Sequence, residues 1–223
     1  MFFTTSWDDG NKLDLKIAKL LKEVDFTGTF YIPVKRGVNG LKDSDIKKIS
    51  EDFEIGSHSF SHSRLNFLTA KKIEFEISES KEVLQNIIKK EIICFAYPFG
   101  AHNTKIVNLV RKGGYKFART TNEGNFSKPK NPLAADISLN ITNIYVNPIK
   151  LLTRFKNYTT FSFFNSFKKI IDNAKKSEIV HVAGHSWEFS SSNDFEKLSE
   201  ILEYISKKQV KPITNKAILS IKY

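Results

Sequence analysis

Residues 1–10 read MFFTTSWDDG. The apolar and hydroxyl-bearing run Phe2–Trp7 has the composition of a buried strand. It ends in two adjacent carboxylates, Asp8 and Asp9, followed by Gly10. Neighbouring side chains on a strand point to opposite faces. Both carboxylates can meet one site only where the strand stops and the backbone turns, and Gly10 permits that turn. The plainer reading is a cap for the helix that begins near Leu13, a role for which Asp14 competes.

Outward from this stretch the pattern alternates. LDLKIAKLLKEV sets Leu13, Ile17, Leu20, Leu21 and Val24 at helical spacing. GTFYIP is a second strand. A short helix follows over Ser44–Asp52, with Ser44 as its cap. FEIGSH is a third strand, and a long helix begins after Thr69, its predicted N-cap. IICFAYP is a strand, TKIVNLVRKGGY a helix that stops at Gly113–Gly114, and KFARTT a strand. IVHVAGH and KPITN are late strands with a helix between them. Residues 122–148 read as a long loop with one strand over LNITNIYVN. Strands alternating with helices predict an α/β fold with a mainly parallel sheet. Seven or eight units allow either a barrel or an open sheet. No repeat or linker divides the chain, so residues 1–223 are expected to form one domain.

The formal charge is +11 over 223 residues, carried by scattered Lys-Lys pairs such as Lys71–Lys72 and Lys207–Lys208. Such pairs suit polar helix faces, and no block is long enough for a nucleic-acid arm. No nucleic-acid partner is expected. The segment YTTFSFFNSFKKII places Phe163, Phe164, Phe167, Ile170 and Ile171 on one helical face. A core-facing helix is the reading, with a membrane-surface face as the alternative. Cys94, the lone cysteine, can form no disulfide within the chain. Neither a signal sequence nor a membrane-length apolar run is evident, so a cytoplasmic location is expected.

In such folds, chemistry gathers where strands end and loops converge. The first strand ends in Asp8 and Asp9, the third in His58 with His62 four residues on, and the fourth in Tyr97-Pro98-Phe99. Arg119 lies in the fifth strand, and His185 closes a late one, followed by Ser186-Trp187-Glu188. Histidines four apart share a face on a helical turn and can share a metal; on an extended strand they stand roughly 13 Å apart. Metal binding therefore predicts a helical turn directly after FEIGS. Two histidines and one aspartate leave open positions for water and substrate, and the second aspartate is free to act as a base. His185 is the candidate acid. His181, set between Val180 and Val182, reads as a satisfied core histidine.

With these residues in place, the chain resembles the polysaccharide deacetylases, metal-dependent carbohydrate esterases related to chitin, peptidoglycan and nodulation-factor deacetylases. SWDDG resembles the family's first motif, which implies Asp8 as catalytic base and Asp9 as metal ligand. GSHSFSH is similar to the second and implies His58 and His62 as ligands. FAYPFG stands in the place of the third, Arg-x-Pro-Tyr, which implies that Tyr97, Pro98 and Phe99 line the groove and that the Phe99 N–H helps hold an oxyanion. VAGHSWEF resembles the last and implies His185 as acid and Trp187 as an apolar wall for the acetyl methyl. The resemblance implies a distorted (β/α) barrel of about seven parallel strands and a divalent metal, zinc first, with cobalt, manganese, nickel or iron as substitutes. It also implies N-deacetylation of an N-acetylated sugar or glycan.

Two elements depart from the family pattern. Ala96 stands where the third motif usually carries the arginine that orients the base, and Arg119 on the next strand is the candidate replacement. The fourth motif has no counterpart; TTNEGNF stands near its place. The alternatives are an amidase or deformylase on a non-sugar or lipid-linked substrate, an inactive carbohydrate-binding protein, and a non-haem iron oxygenase. The spare Asp8 and the position of His185 speak against the last.

Overall fold

The computed structural model describes residues 1–141, 163–189 and 191–222. Nine strands and six α-helices are described. The strands are β1 Phe2–Asp8, β2 Thr29–Ile32, β3 Glu54–Ser57, β4 Cys94–Ala96, β5 Phe117–Glu123, β6 Ala135–Ile137, β7 Leu139–Asn140, β8 Ile179–His185 and β9 Lys211–Pro212. The helices are α1 Asp14–Glu23, α2 Asp43–Asp52, α3 Ala70–Ile88, α4 Thr104–Lys112, α5 Phe163–Asn173 and α6 Ser192–Ser206.

The strands run β6-β5-β4-β3-β2-β1-β8-β7, and every neighbouring pair is parallel. β6 and β7 are separated only by Ser138. β6 pairs with β5 and β7 with β8, so one segment bridges the two ends of the sheet. Ser138 makes the join: its N–H donates to the His181 carbonyl, and its Oγ accepts from the His181 N–H. The result is a nearly closed (β/α) barrel. Eight strands lie on the path rather than the expected seven, because Ser138 divides one segment into two short strands. β9 pairs with Phe2 and Phe3 of β1, below the point where β2 begins its pairing at Ser6.

The period of two along the strands divides the core into two layers. Phe3, Trp7, Phe30, Ile32, Phe95 and Val180 face outward and meet the apolar stripes of the helices, such as Ile17 and Leu21 of α1. Each such side chain, fully buried, contributes about 1.5–3 kcal/mol. Tyr31, Cys94, Ala96, Phe117 and Ala135 face the barrel interior, which Ile213, Ile218 and Ile221 close from below. His181 is buried among them, 2.9 Å from Ser6 Oγ and within reach of Asn215. Burial lowers its pKa to about 3, so it is a neutral core histidine, as read from the sequence.

The α2 cap differs from expectation. The helix starts at Asp43, and Lys42 is the N-cap, its N–H donating to Asp45 Oδ2 at 3.0 Å. Ser44 is one residue inside. Thr69 caps α3 as expected, accepting from the Lys72 N–H. In the loop region read as holding one strand, two short strands end at Asn140; most of LNITNIYVN lies outside the described residues. Phe167 and Ile171 of α5 are buried, which places that face in the core; the side chains of Phe163 and Phe164 lie outside the described ones. No described helix is long and apolar enough to cross a membrane.

Candidate active site

The chain leaves β1 through two left-handed residues, Asp9 (φ 74°) and Gly10 (φ 59°). The turn thus begins at Asp9 itself, one residue earlier than the glycine suggested. A Cβ on Gly10 would stand 2.9 Å from Ile32 Cγ2, so only glycine fits there. The turn swings Asp9 toward the cluster while Asp8 stays on the inward face of the strand. Neither caps α1: Leu13 is its N-cap, and its N–H is met by Asn11 Oδ1 at 3.0 Å.

His58 and His62 come together without the expected helical turn. The loop reverses through left-handed Ser59 (φ 66°) and His62 (φ 56°), and the two Nε2 atoms stand 3.1 Å apart. Hydroxyls and a carboxylate pin it. The His62 N–H donates to Ser59 Oγ at 3.0 Å, and the Ser59 N–H to Ser57 Oγ at 3.2 Å. Buried Glu76 of α3 accepts from both the N–H and the Oγ of Ser61, at 2.8 and 2.5 Å. Short polar side chains replace helical hydrogen bonds here, which is why periodicity alone could not foresee the geometry.

Asp9 Oδ1 lies 3.2 Å from His62 Nε2 and 3.6 Å from His58 Nε2. One donor atom from each of the three residues falls within 4.8 Å of the others. Asp9 Oδ1 is buried and makes no hydrogen bond in this arrangement. The His58 Nδ1–H donates to the Ala96 carbonyl at 2.8 Å, which leaves the Nε2 lone pair aimed at the cluster. Burial lowers the His58 pKa to about 4, against the pull of Asp8 and Asp9, so the ring is neutral at pH 7. Two imidazole nitrogens and an orphaned carboxylate oxygen fit a divalent cation with one oxygen and two nitrogen ligands. The Trp187 Nε1–H holds the other Asp9 oxygen at 2.9 Å.

Asp8 is buried beside this cluster, directly across from His185 in the β1–β8 register. Arg119 Nη2 contacts its Oδ1. Ala96 and Arg119 are register partners on β4 and β5, so the guanidinium enters the interior one strand away from Ala96. Arg119 is only 1% exposed. Burial pushes the Asp8 carboxyl up, but Arg119, His58 and His185 outweigh it and hold its pKa at about 2. Asp8 therefore stands ionised at neutral pH.

His185 Nε2 is 3.8 Å from Asp9 Oδ2. On its other side, Glu188 Oε2 lies 3.2 Å from Nδ1, a charge contact without hydrogen-bond alignment. Burial disfavours the protonated ring, yet Glu188, Asp8 and Asp9 prevail and raise its pKa above the ordinary histidine value. The turn that carries His185 is tied down from below, where buried Asp14 accepts from Ser186 Oγ at 2.5 Å.

The third stretch is split by its geometry. Phe99, left-handed at φ 58°, projects a half-exposed ring that packs 4.7 Å from the His62 ring. Tyr97 does not line the groove as expected. Ala96 faces inward, so Tyr97 faces the helices: it is fully buried, and its hydroxyl donates to the Leu133 carbonyl at 2.7 Å. Glu76 was not singled out in the sequence, and neither Glu188 nor the Asp14–Ser186 contact was given a role there. Only Glu188 carried a signal there, three residues after the histidine it faces.

Residues 3–118 match the sequence profile of the polysaccharide deacetylase family. The chitooligosaccharide deacetylase of Azorhizobium caulinodans is 33% identical over 63 residues, 28% of this chain and 30% of that protein. The matched region spans about a third of the length of the curated relatives. Among solved structures, a polysaccharide deacetylase from Bacillus cereus superposes with TM-score 0.54 at 30% identity, over 60% of this chain and 45% of that one. A family 4 carbohydrate esterase from Streptomyces lividans, in complex with acetate, superposes with TM-score 0.65 at 12% identity, over 94% and 90%.

Proposed function

Since the chain belongs to the polysaccharide deacetylase family, we propose that it is a metal-dependent hydrolase that removes the N-acetyl group from an N-acetylated sugar or glycan. One observation carries this reading: three residues that could hold a metal ion, Asp9, His58 and His62, lie beside an ionised buried aspartate and a histidine of raised pKa. Amide hydrolysis needs that set, a water-directed base on one side and an acid for the departing nitrogen on the other.

Asp9, His58 and His62 would hold the cation. When bound, a divalent ion such as zinc lends Lewis acidity to the groove and makes a water proton more acidic. Asp8 accepts that proton. Arg119 holds Asp8 ionised and fixed, the work assigned to the arginine that Ala96 replaces. His185 donates a proton to the leaving amine, and Glu188 favours its protonated state. The Phe99 N–H stabilises the developing oxyanion. Trp187 fixes Asp9 through its Nε1–H and offers its half-exposed ring as a wall for the acetyl methyl.

The test is a release assay on the metal-loaded protein. N-acetylated oligosaccharides, nucleotide sugars, N-formyl sugars and simple acetamides are compared for acetate and formate release. Acetate from an N-acetylated sugar is the expected outcome. Release confined to formyl sugars or to non-sugar amides would replace this reading with a deformylase or a general amidase.

A further inference from the structure

The Phe99 ring that packs against His62 also carries a charge. The Arg64 guanidinium lies over its ring, with Cζ 4.4 Å from the centroid. The other described arginines are engaged: Arg36 with Asp43, Arg119 with Asp8, and Arg111 with Asn108. The Arg64 side chain has neither a carboxylate nor a hydrogen-bond partner among the described residues. It is nevertheless held in place. Its backbone leads into the 3-10 turn Leu65–Phe67, and its planar head rests on a ring that itself packs against His62. Phe99 reaches that position through a left-handed backbone, a conformation that a non-glycine residue keeps only where surrounding structure enforces it.

We propose that Arg64, supported by Phe99, is an anion-recognition point of the groove, and that the substrate carries a phosphate or carboxylate beside its N-acylated sugar. This deepens the deacetylase reading and rests on it for the position of the sugar. A guanidinium stacked on an aromatic face keeps its edge N–H groups free, and that fork matches the oxygens of phosphate and carboxylate. Stacking also reduces the freedom that a mobile surface arginine would lose on binding. One aromatic ring separates Arg64 from His62, so an anion on the substituent next to the scissile amide comes within its reach. The excess of 35 basic over 24 acidic residues favours the approach of such a substrate.

The test compares zinc-loaded wild type, Arg64→Gln and Arg64→Lys. Ligand-observed NMR titrations use N-acetylglucosamine, its 1-phosphate, and N-acetylmuramic acid, which carries a carboxylate. The wild type is expected to bind one of the acidic sugars at least tenfold more tightly than the neutral one. Arg64→Gln should erase most of that ratio and Arg64→Lys restore part of it. The acidic sugar that shows the Arg64-dependent gain identifies the anion. Equal affinity for all three sugars would overturn the proposal. So would a preference that survives in Arg64→Gln, since the anion would then sit on the zinc or elsewhere. Acetate release is followed in parallel. An Arg64-dependent preference without release from any sugar would uphold the anion point and refute the deacetylase reading; release without the preference would do the reverse.

Discussion

Replacing Arg119 by methionine keeps the length of the side chain and removes its charge. Arg119 and Asp8 are both buried, their side chains 1% and 6% exposed, so water cannot substitute for the lost partner. Removing one member of a buried ion pair costs about 3–5 kcal/mol. In a domain of this size about 1 kcal/mol moves Tm by roughly 2–4 °C, so the expected fall is on the order of 6–20 °C at pH 7. The sign with pH follows from Asp8. Its depressed pKa contributes stability that is present above the unfolded value near 3.9 and is lost as pH falls toward about 2. In the variant, burial is opposed only by His58 and His185, so the Asp8 pKa rises. The difference in stability between the two proteins should then narrow as acid protonates Asp8 in the variant. Thermal melts from pH 4 to 8, with a carbon-13 titration of the Asp8 carboxyl, read both effects. Turnover should fall, and its acid limb should move to higher pH; Arg119→Lys, which keeps the charge but not the fork, should be intermediate. An unchanged Asp8 titration with full turnover would refute the role given to Arg119.

Three further outcomes follow from contacts around the site. Glu188→Gln removes a charge that raises the His185 pKa, so the alkaline limb of the pH–rate profile, where the acid loses its proton, should move to lower pH while zinc content is unchanged. Glu76→Ala frees Ser61 within the histidine loop, and zinc affinity measured by competition with a chelator should drop about 10- to 100-fold. Asp14→Asn keeps a hydrogen-bonding partner for Ser186 without a buried charge. Burial raises the Asp14 pKa well above its ordinary value, a contribution present at low pH and lost as pH rises. The amide variant should therefore be at least as stable as wild type at pH 7 in urea denaturation, with its advantage growing toward alkaline pH.

Much of this arrangement was legible in the sequence because it depends on period and order. Alternating strands and helices predicted the parallel sheet, and polar residues at successive strand ends located Asp8, Asp9, His58 and His185 at one rim. Arg119 was readable as the neighbour of Ala96 because parallel strands place KFART beside ICFA, and the register pairs those two residues. Local backbone geometry was less legible. The left-handed turns at Ser59 and His62 depend on hydroxyl and carboxylate partners up to 15 residues away, such as Glu76, and leave no periodic trace. Tyr97 was misplaced because a motif fixes sequence position, whereas inward or outward facing depends on where the strand ends. The break at Ser138 was invisible for a similar reason: three-residue and two-residue strands carry too few positions to show a period.

The most direct test of the central claim is single-turnover acetate release from an N-acetylated oligosaccharide by three preparations: metal-free wild type, zinc-loaded wild type and zinc-loaded Asp8→Asn. Release only from zinc-loaded wild type, with zinc retained in Asp8→Asn, is the predicted result. Equal release with and without zinc, or undiminished release by Asp8→Asn, would contradict a metal cluster flanked by an aspartate base.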